Sequence, residues 1–331
     1  MSAPSPGSPS WDGAGLAGSF RFGVALLVSA ILAAYAGVYD APYTLDDRKD
    51  IVQTRGTPLG EIIRAQPTRA LPNLSIWVNR RVFGERLAAY HAVNLAIHAT
   101  NAILLFALLR CLRRLRAPGL PVWAPAAGAL LWALHPLQTS AVTYLTQRSA
   151  SLAALCTLGA TLGYLRAREA RALGASAGSA GALRWYAGAL AFAALGVFAK
   201  ENTATLPAVL LLSEWLVVGG RAPDPVRVRA LLLAPFLVGP PLFHLSYLLQ
   251  AKARSGAAMA RDPSGLGEKV LGYVSAYQGI DFPTRTIYLL TEPGVLLRYL
   301  RLWLLPFLVD GAVFRHEPKP ALKVGHRIFE K

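Results

Sequence analysis

Residues 90–116 read YHAVNLAIHATNAILLFALLRCLRRLR. Between His91 and Leu112 there is no carboxylate, and Arg110 is the one cation. A helix rises 1.5 Å per residue, so about 20 such residues cross the roughly 30 Å hydrocarbon layer of a bilayer. The stretch therefore predicts a membrane-spanning helix that ends in Arg110, Arg113, Arg114 and Arg116. His91, Asn94, His98 and Asn101 recur three or four residues apart, which puts them on one face. Polar side chains at that depth hydrogen-bond to neighbouring helices; a ligand role is the alternative.

The same pattern recurs along the chain. Further apolar runs lie at about 20–39, 122–134, 149–165, 185–199, 206–218 and 230–249, with another in VLLRYLRLWLLPFLV from Val295. The chain is 54% hydrophobic and 16% charged, with a mean hydropathy of +0.39. A soluble domain carries charge on about a quarter of its residues. The reading is an all-α polytopic membrane protein of about seven to eight spans. Residues 1–19, rich in Ser, Gly and Pro, read as a disordered cytoplasmic tail, and 316–331 as a short C-terminal tail. The first apolar run lacks a small-residue cleavage site and reads as a retained span. Cys111 and Cys156 imply no disulfide framework.

The formal charge of +16 would point to nucleic acid in a soluble protein. Here the arginines gather at membrane boundaries and no nucleic-acid motif accompanies them. Arg110–Arg116, Arg166–Arg184 and Arg221–Arg229 follow the second, fourth and sixth runs. Short cationic loops stay in the cytoplasm, so the N-terminus is expected there too. The stretches 40–88, 135–148, 200–205 and 250–315 then face outward. The first of them contains an amphipathic piece, LPNLSIWVNRRVF, suited to the membrane surface.

Ionisable groups crowd these outward stretches. Asp46 and Asp47 are adjacent carboxylates just past the first span. One can act as a general base, its pKa raised by its neighbour's charge. The pair can also bind a divalent cation, or form a plain solvated turn with Arg48 and Lys49 as counter-charges. HPLQTSAVTYLTQR (135–148) brings His135, Gln138, Tyr144 and Arg148 into one connection, and Lys200 and Glu201 end the fifth run. Gly159 and Gly163 form a GxxxG, a sign of close helix packing. Asn73-Leu-Ser75 fits a glycosylation sequon, a pattern short enough to arise by chance.

Taken together, LDD at 45–47, RALPNLSIWVN at 69–79, the stretch from Tyr90, HPLQTSAVTYLTQRSASLAAL, AKENTATLPAVLLLSEW and YLLTEPGVLLRYLRLWLLP resemble a known family. They are similar to the membrane domain of bacterial relatives of the transmembrane-and-tetratricopeptide-repeat O-mannosyltransferases, in the GT-C superfamily. The resemblance covers about residues 20–315 and implies a GT-C-like arrangement in a bacterial inner membrane. It implies transfer of a sugar, mannose among the candidates, from a polyprenyl-phosphate donor to a hydroxyl on a protein or glycan acceptor. Asp46 and Asp47 take the place of the family's first-loop acid, the general base. Arg69, His135, Gln138, Arg148, Lys200 and Glu201 become the candidates for donor-phosphate and substrate binding. No cofactor is required by it, with a divalent cation on Asp46 and Asp47 left open. Family members continue into more spans and repeats, whereas HEPKPALKVGHRIFEK closes this chain, which reads as a truncation before the repeats. An inactive membrane subunit and a lipid-handling or transport protein are the competing readings. A transporter would carry its ionisable groups near the midplane, in matching halves.

Overall fold

The computed structural model describes residues 13–44, 46–52, 54–172, 179–219 and 225–261, together with Leu297 and Leu300. These stretches are helical, with no strand among the described residues. The chain divides into Met1–Leu266 and Gly267–Lys331. The run from Val295, the stretch 262–315 and both tails, residues 13–19 apart, fall outside the described residues, those two leucines excepted.

The helices are α1 (Gly13–Ala34), α2 (Leu59–Ala65), α3 (Ala70–Phe83), α4 (Leu87–Arg116), α5 (Ala124–Ala133), α6 (Thr139–Thr143), α7 (Arg148–Ala172), α8 (Ala180–Val197), α9 (Leu206–Ser213) and α10 (Val226–Arg261). Four segments are long and apolar enough to cross a membrane: Leu87–Arg116, Leu145–Arg171, Ala180–Val197 and Val226–Tyr247. Phe20–Ala34 and Ala124–Ala133 are shorter apolar helices. The described residues thus give four full-length candidates where about seven or eight spans are expected from sequence.

Two expected spans shorten for visible reasons. α5 begins with Pro125 in its first turn and stops before His135-Pro136, because a residue that precedes proline avoids the helical region. Its 10 residues cover about 15 Å. α9 also starts at a proline, Pro207, and gives way at Glu214–Val218 to a wider turn.

α4 is the central strut. It packs on α5, α7 and α1, and its buried polar face works as expected. His91 binds the carbonyls of Ala41 at 2.9 Å and Val142 at 3.3 Å. His98 Nε2 meets Ala133 O at 3.0 Å, and Asn101 donates to Ser151 O at 2.9 Å. The His98 ring also stacks on Trp132. One core joins α4, α7, α8, α9 and α10 around Tyr164, Leu210 and Phe236, and a second joins α1, α4 and α5 around Leu27, Ile31 and Phe106. A small third cluster, Ile51, Ile76, Tyr90 and Leu145, seats α3 and the 46–52 segment on the N-terminal ends of α4 and α7.

The GxxxG of α7 meets α8. A Cβ on Gly163 would lie 2.8 Å from Trp185 O and 3.0 Å from Ala189 N, both backbone atoms. Gly181, at the start of α8, has open space instead. Gly163→Ala should therefore lower stability by about 1–3 kcal/mol, since α8 must move away as a body. Gly181→Ala should not lower it. Thermal melts of the two variants in one detergent make the comparison; equal melts would contradict this packing.

Candidate active site

Two loop blocks that lie about a hundred residues apart meet through Asp47. Its carboxylate is fully buried. Oδ2 accepts from Thr44 N at 3.0 Å, Thr44 Oγ1 at 3.3 Å and Leu145 N at 3.3 Å, and Oδ1 accepts from Thr146 N at 2.9 Å. Backbone amides hold an anion well, and here they fasten the first loop to the start of α7. Asp46 points elsewhere. It is exposed, and Tyr144 donates its hydroxyl to Asp46 Oδ2 at 3.0 Å. Partial burial pushes the Tyr144 hydroxyl pKa above its ordinary value, and the Asp46 carboxylate adds to this against a bond with Thr146. The two acids are neighbours in sequence with different environments.

Arg148 sits beneath them, fully buried. Nε donates to Asn94 Oδ1 at 2.7 Å, Nη1 to Ser75 Oγ at 3.2 Å, and Nη2 to Asn79 Oδ1 at 3.2 Å and Tyr90 O at 3.0 Å. The guanidinium also lies 5.8 Å from the Tyr90 ring centre. Its planar fork ties α3, α4 and α7 together, a geometry that suits arginine and no other cation. With its fork committed to protein acceptors, Arg148 is placed as a strut beneath the surface.

A second group forms where the first turn of α3 meets the end of α8. Leu71 N donates to Phe198 O at 2.9 Å. This brings Thr68 Oγ1 within 3.2 Å of Glu201 Oε1 and Arg69 Nε within 3.7 Å of the same oxygen. Lys200 is partly buried beside them. Burial lowers its pKa from the usual lysine range, nearby Arg69 adds to this, and Glu201 opposes it. Burial acts to raise the Glu201 pKa, but its own backbone amide, Arg69, Thr68 and Lys200 outweigh that and hold it low. Arg69, Lys200 and Glu201 thus form one charged cluster on a surface-accessible turn.

His135 and Gln138 stand on the connection from α5 to α6. His135 Nδ1 accepts from Leu137 N at 3.2 Å, which caps that turn, and Gln138 is partly buried at the start of α6. One helical turn past Asp46, where Asp50 N donates to Asp46 O at 2.8 Å, a cavity of about 310 Å³ opens. Asp50, Thr57, Glu61, Gln66 and Asn73 help to line it. Asn73 Nδ2 is buried within α3, so the sequon is not presented as an accessible loop. Among the described residues no group of three or more His, Cys, Asp or Glu is placed to hold a metal ion. Asp47 faces amide donors, surroundings that suit its negative charge without a cation.

Sequence reasoning missed Ser75 and Asn79. Their spacing of four residues on an amphipathic helix was the available signal. It also missed an ion cluster at the other end of the bundle. Arg168 is buried and donates to Glu214 through Nε at 3.1 Å and Nη2 at 2.7 Å, while Tyr164 donates to Glu214 at 2.8 Å. Arg229 lies 3.8 Å from the same carboxylate. The signal was an acid inside an apolar run, rare at membrane depth unless paired.

The helices alternate in direction, so the site blocks share one end and the arginine-rich connections share the other. Arg148 and Phe198 meet α3, and Leu145 and Thr146 meet Asp47, whereas Arg114 and Arg166 meet Glu169, and Arg229 meets Glu214. The grouping matches the loop-charge pattern in sequence.

One curated relative adds to this geometry. The chain is 26% identical over 217 residues to the human protein named Protein O-mannosyl-transferase TMTC4. The match takes in 58% of this chain and 29% of that protein's length. No family model matches, and no solved structure matches. The likeness is distant. With the apolar helices it suggests an integral membrane protein related to a glycosyltransferase.

Proposed function

We propose that this chain is a GT-C-type membrane glycosyltransferase. It moves a sugar, mannose first among the candidates, from a polyprenyl-phosphate donor to a hydroxyl on a protein or glycan acceptor. The observation that carries the reading is the division between Asp46 and Asp47. One carboxylate is buried and fastens the loop; the other is exposed, bound by the Tyr144 hydroxyl, and lies one helical turn from Asp50, which lines a cavity. The distant likeness to an O-mannosyl-transferase supports it.

In this reading the acceptor hydroxyl approaches from the cavity side and Asp46 takes its proton. The acceptor oxygen attacks the anomeric carbon as the bond from that carbon to the phosphate oxygen breaks. The electron pair leaves with the lipid phosphate, whose charge Arg69 and Lys200 offset. Glu201, itself bound by the Thr68 hydroxyl, pairs with Arg69. The Asp46 end faces outward and the arginine-rich end faces the cytoplasm of a bacterial inner membrane, as the loop charges favour.

Transfer of radiolabelled mannose from a polyprenyl-phosphate donor by purified, detergent-solubilised protein is the direct test. The double variant Arg69→Gln/Lys200→Gln should raise the KM for donor about tenfold or more, since charged hydrogen bonds to phosphate contribute roughly 1.5–3 kcal/mol each. An unchanged donor KM would remove these two residues from the site. No transfer by the native chain with any polyprenyl-phosphate sugar would favour the inactive-subunit reading.

A further inference from the structure

At the arginine-rich end, α1, α4, α7 and α8 enclose a cavity of about 530 Å³. Arg110, Arg114 and Arg166 line it together with Phe20, Leu162 and Trp185. The arginines are held in place from several directions. The Arg110 guanidinium lies 5.1 Å from the Phe20 ring centre and 5.6 Å from that of Phe106, and those two rings stack at 5.4 Å. Arg166 lies 5.6 Å from the Trp185 ring centre. Glu169 accepts from Arg114 at 2.8 Å and from Arg166 at 3.0 Å. Arg113 is within electrostatic reach of Arg110 as well.

Charge and surface type narrow the occupant. Residues 110–123 and 166–184 hold eight arginines and one carboxylate, Glu169. Glu214 offsets Arg168 and Arg229 from elsewhere in the bundle, and the remaining balance is strongly positive. The walls between the cations are aliphatic and aromatic, and Trp185 is 44% exposed at the rim. Tryptophan at such a position is characteristic of the water–lipid boundary. A cationic cleft between spanning helices, with apolar walls below, fits an anionic headgroup and its acyl chains. Free phosphate would use only the cations.

We propose that this cavity is a binding site for an anionic phospholipid, its phosphate on Arg110 and Arg166 and its acyl chains along Leu162 and Phe20. It is separate from the Asp46 site, since Arg110 lies about 24 Å along α4 from Asn94. It does not rest on the glycosyltransferase reading.

The probes are phosphatidylglycerol and phosphatidylcholine added to the purified full chain in nonionic detergent, with retained lipid counted by native mass spectrometry. Phosphatidylglycerol should be retained preferentially. Arg110→Gln/Arg166→Gln should weaken that retention by about tenfold or more, because each cation near a headgroup contributes appreciably. Arg64→Gln/Arg86→Gln, with the same charge change on exposed positions at the other end, should leave it unchanged. Should the first pair fail to fold, Ala107→Phe narrows the cavity without altering charge and should also reduce retention. Equal retention of the two lipids, displacement by millimolar inorganic phosphate, or an equal loss in the Arg64/Arg86 pair would overturn the proposal.

Discussion

Asp46→Asn should reduce sugar transfer by about 10²–10⁴-fold, the usual contribution of a positioned general base, and leave the melting temperature nearly unchanged. Asp46 is exposed and makes one described side-chain bond, from Tyr144, which the amide oxygen of asparagine can still accept. The fold therefore loses little while the proton acceptor is lost. Asp47→Asn should show the opposite balance. Its carboxylate receives two backbone amides from 145–146 and another from Thr44. An asparagine can present only one oxygen, and its NH₂ would oppose a donor. Stability should fall by about 1–3 kcal/mol through that buried mismatch. Activity should fall only as far as the loop loosens. Paired assays of transfer and melting on both variants decide this. Full activity in Asp46→Asn would sink the base assignment, and a selective loss in Asp47→Asn would move it to Asp47.

The second large effect is structural. Arg148→Leu should destabilise the protein by about 3 kcal/mol or more, since each buried acceptor left without a donor costs about 1–3 kcal/mol. Leucine leaves the buried Asn94 Oδ1, Asn79 Oδ1 and Tyr90 O, and the partly buried Ser75 Oγ, without their shared donor. Arg148→Lys should recover little, because one ammonium cannot reach acceptors on three helices as a planar fork does. Arg86→Gln, at an exposed position at the same end, serves as the comparison and should melt like the native chain. A melt of Arg148→Leu equal to that of Arg86→Gln would show that the fork is not what joins α3 to α4 and α7.

Much of the architecture was legible in the chain. The spans of α4, α7, α8 and α10 follow from apolar length, and the hydrogen-bonding face of α4 from the spacing of His91, Asn94, His98 and Asn101. The amphipathic piece from Leu71 forms α3 as expected, with Ile76 turned inward and Leu74, Val78 and Val82 exposed. The lengths of α5 and α9 were less legible. Hydropathy averages over a window, whereas Pro125, Pro136 and Pro207 act on single backbone positions.

The site divided along a similar line. Seven of the eight candidate residues are ionisable, and such groups beside apolar runs stand out because they are costly at membrane depth unless partnered; Gln138 stood out as a polar residue in the same short connection as His135 and Arg148. Which groups are reachable was not. Asp46 and Asp47 are chemically identical in sequence, and their difference comes from amides of Leu145 and Thr146 that only folding brings near. Arg148 and Arg69 are both candidate phosphate ligands until α3 closes over one and leaves the other near the surface.

By itself, the sequence determined that this is a helical membrane chain whose short connections on one side are rich in arginine, with mixed acidic and basic groups in the connections between them. Those properties depend on local composition and helical period. The tertiary structure alone decided which carboxylate is buried among backbone amides and which is exposed, and which arginine is a strut. Burial and amide partners are supplied by distant segments, and no local pattern encodes them.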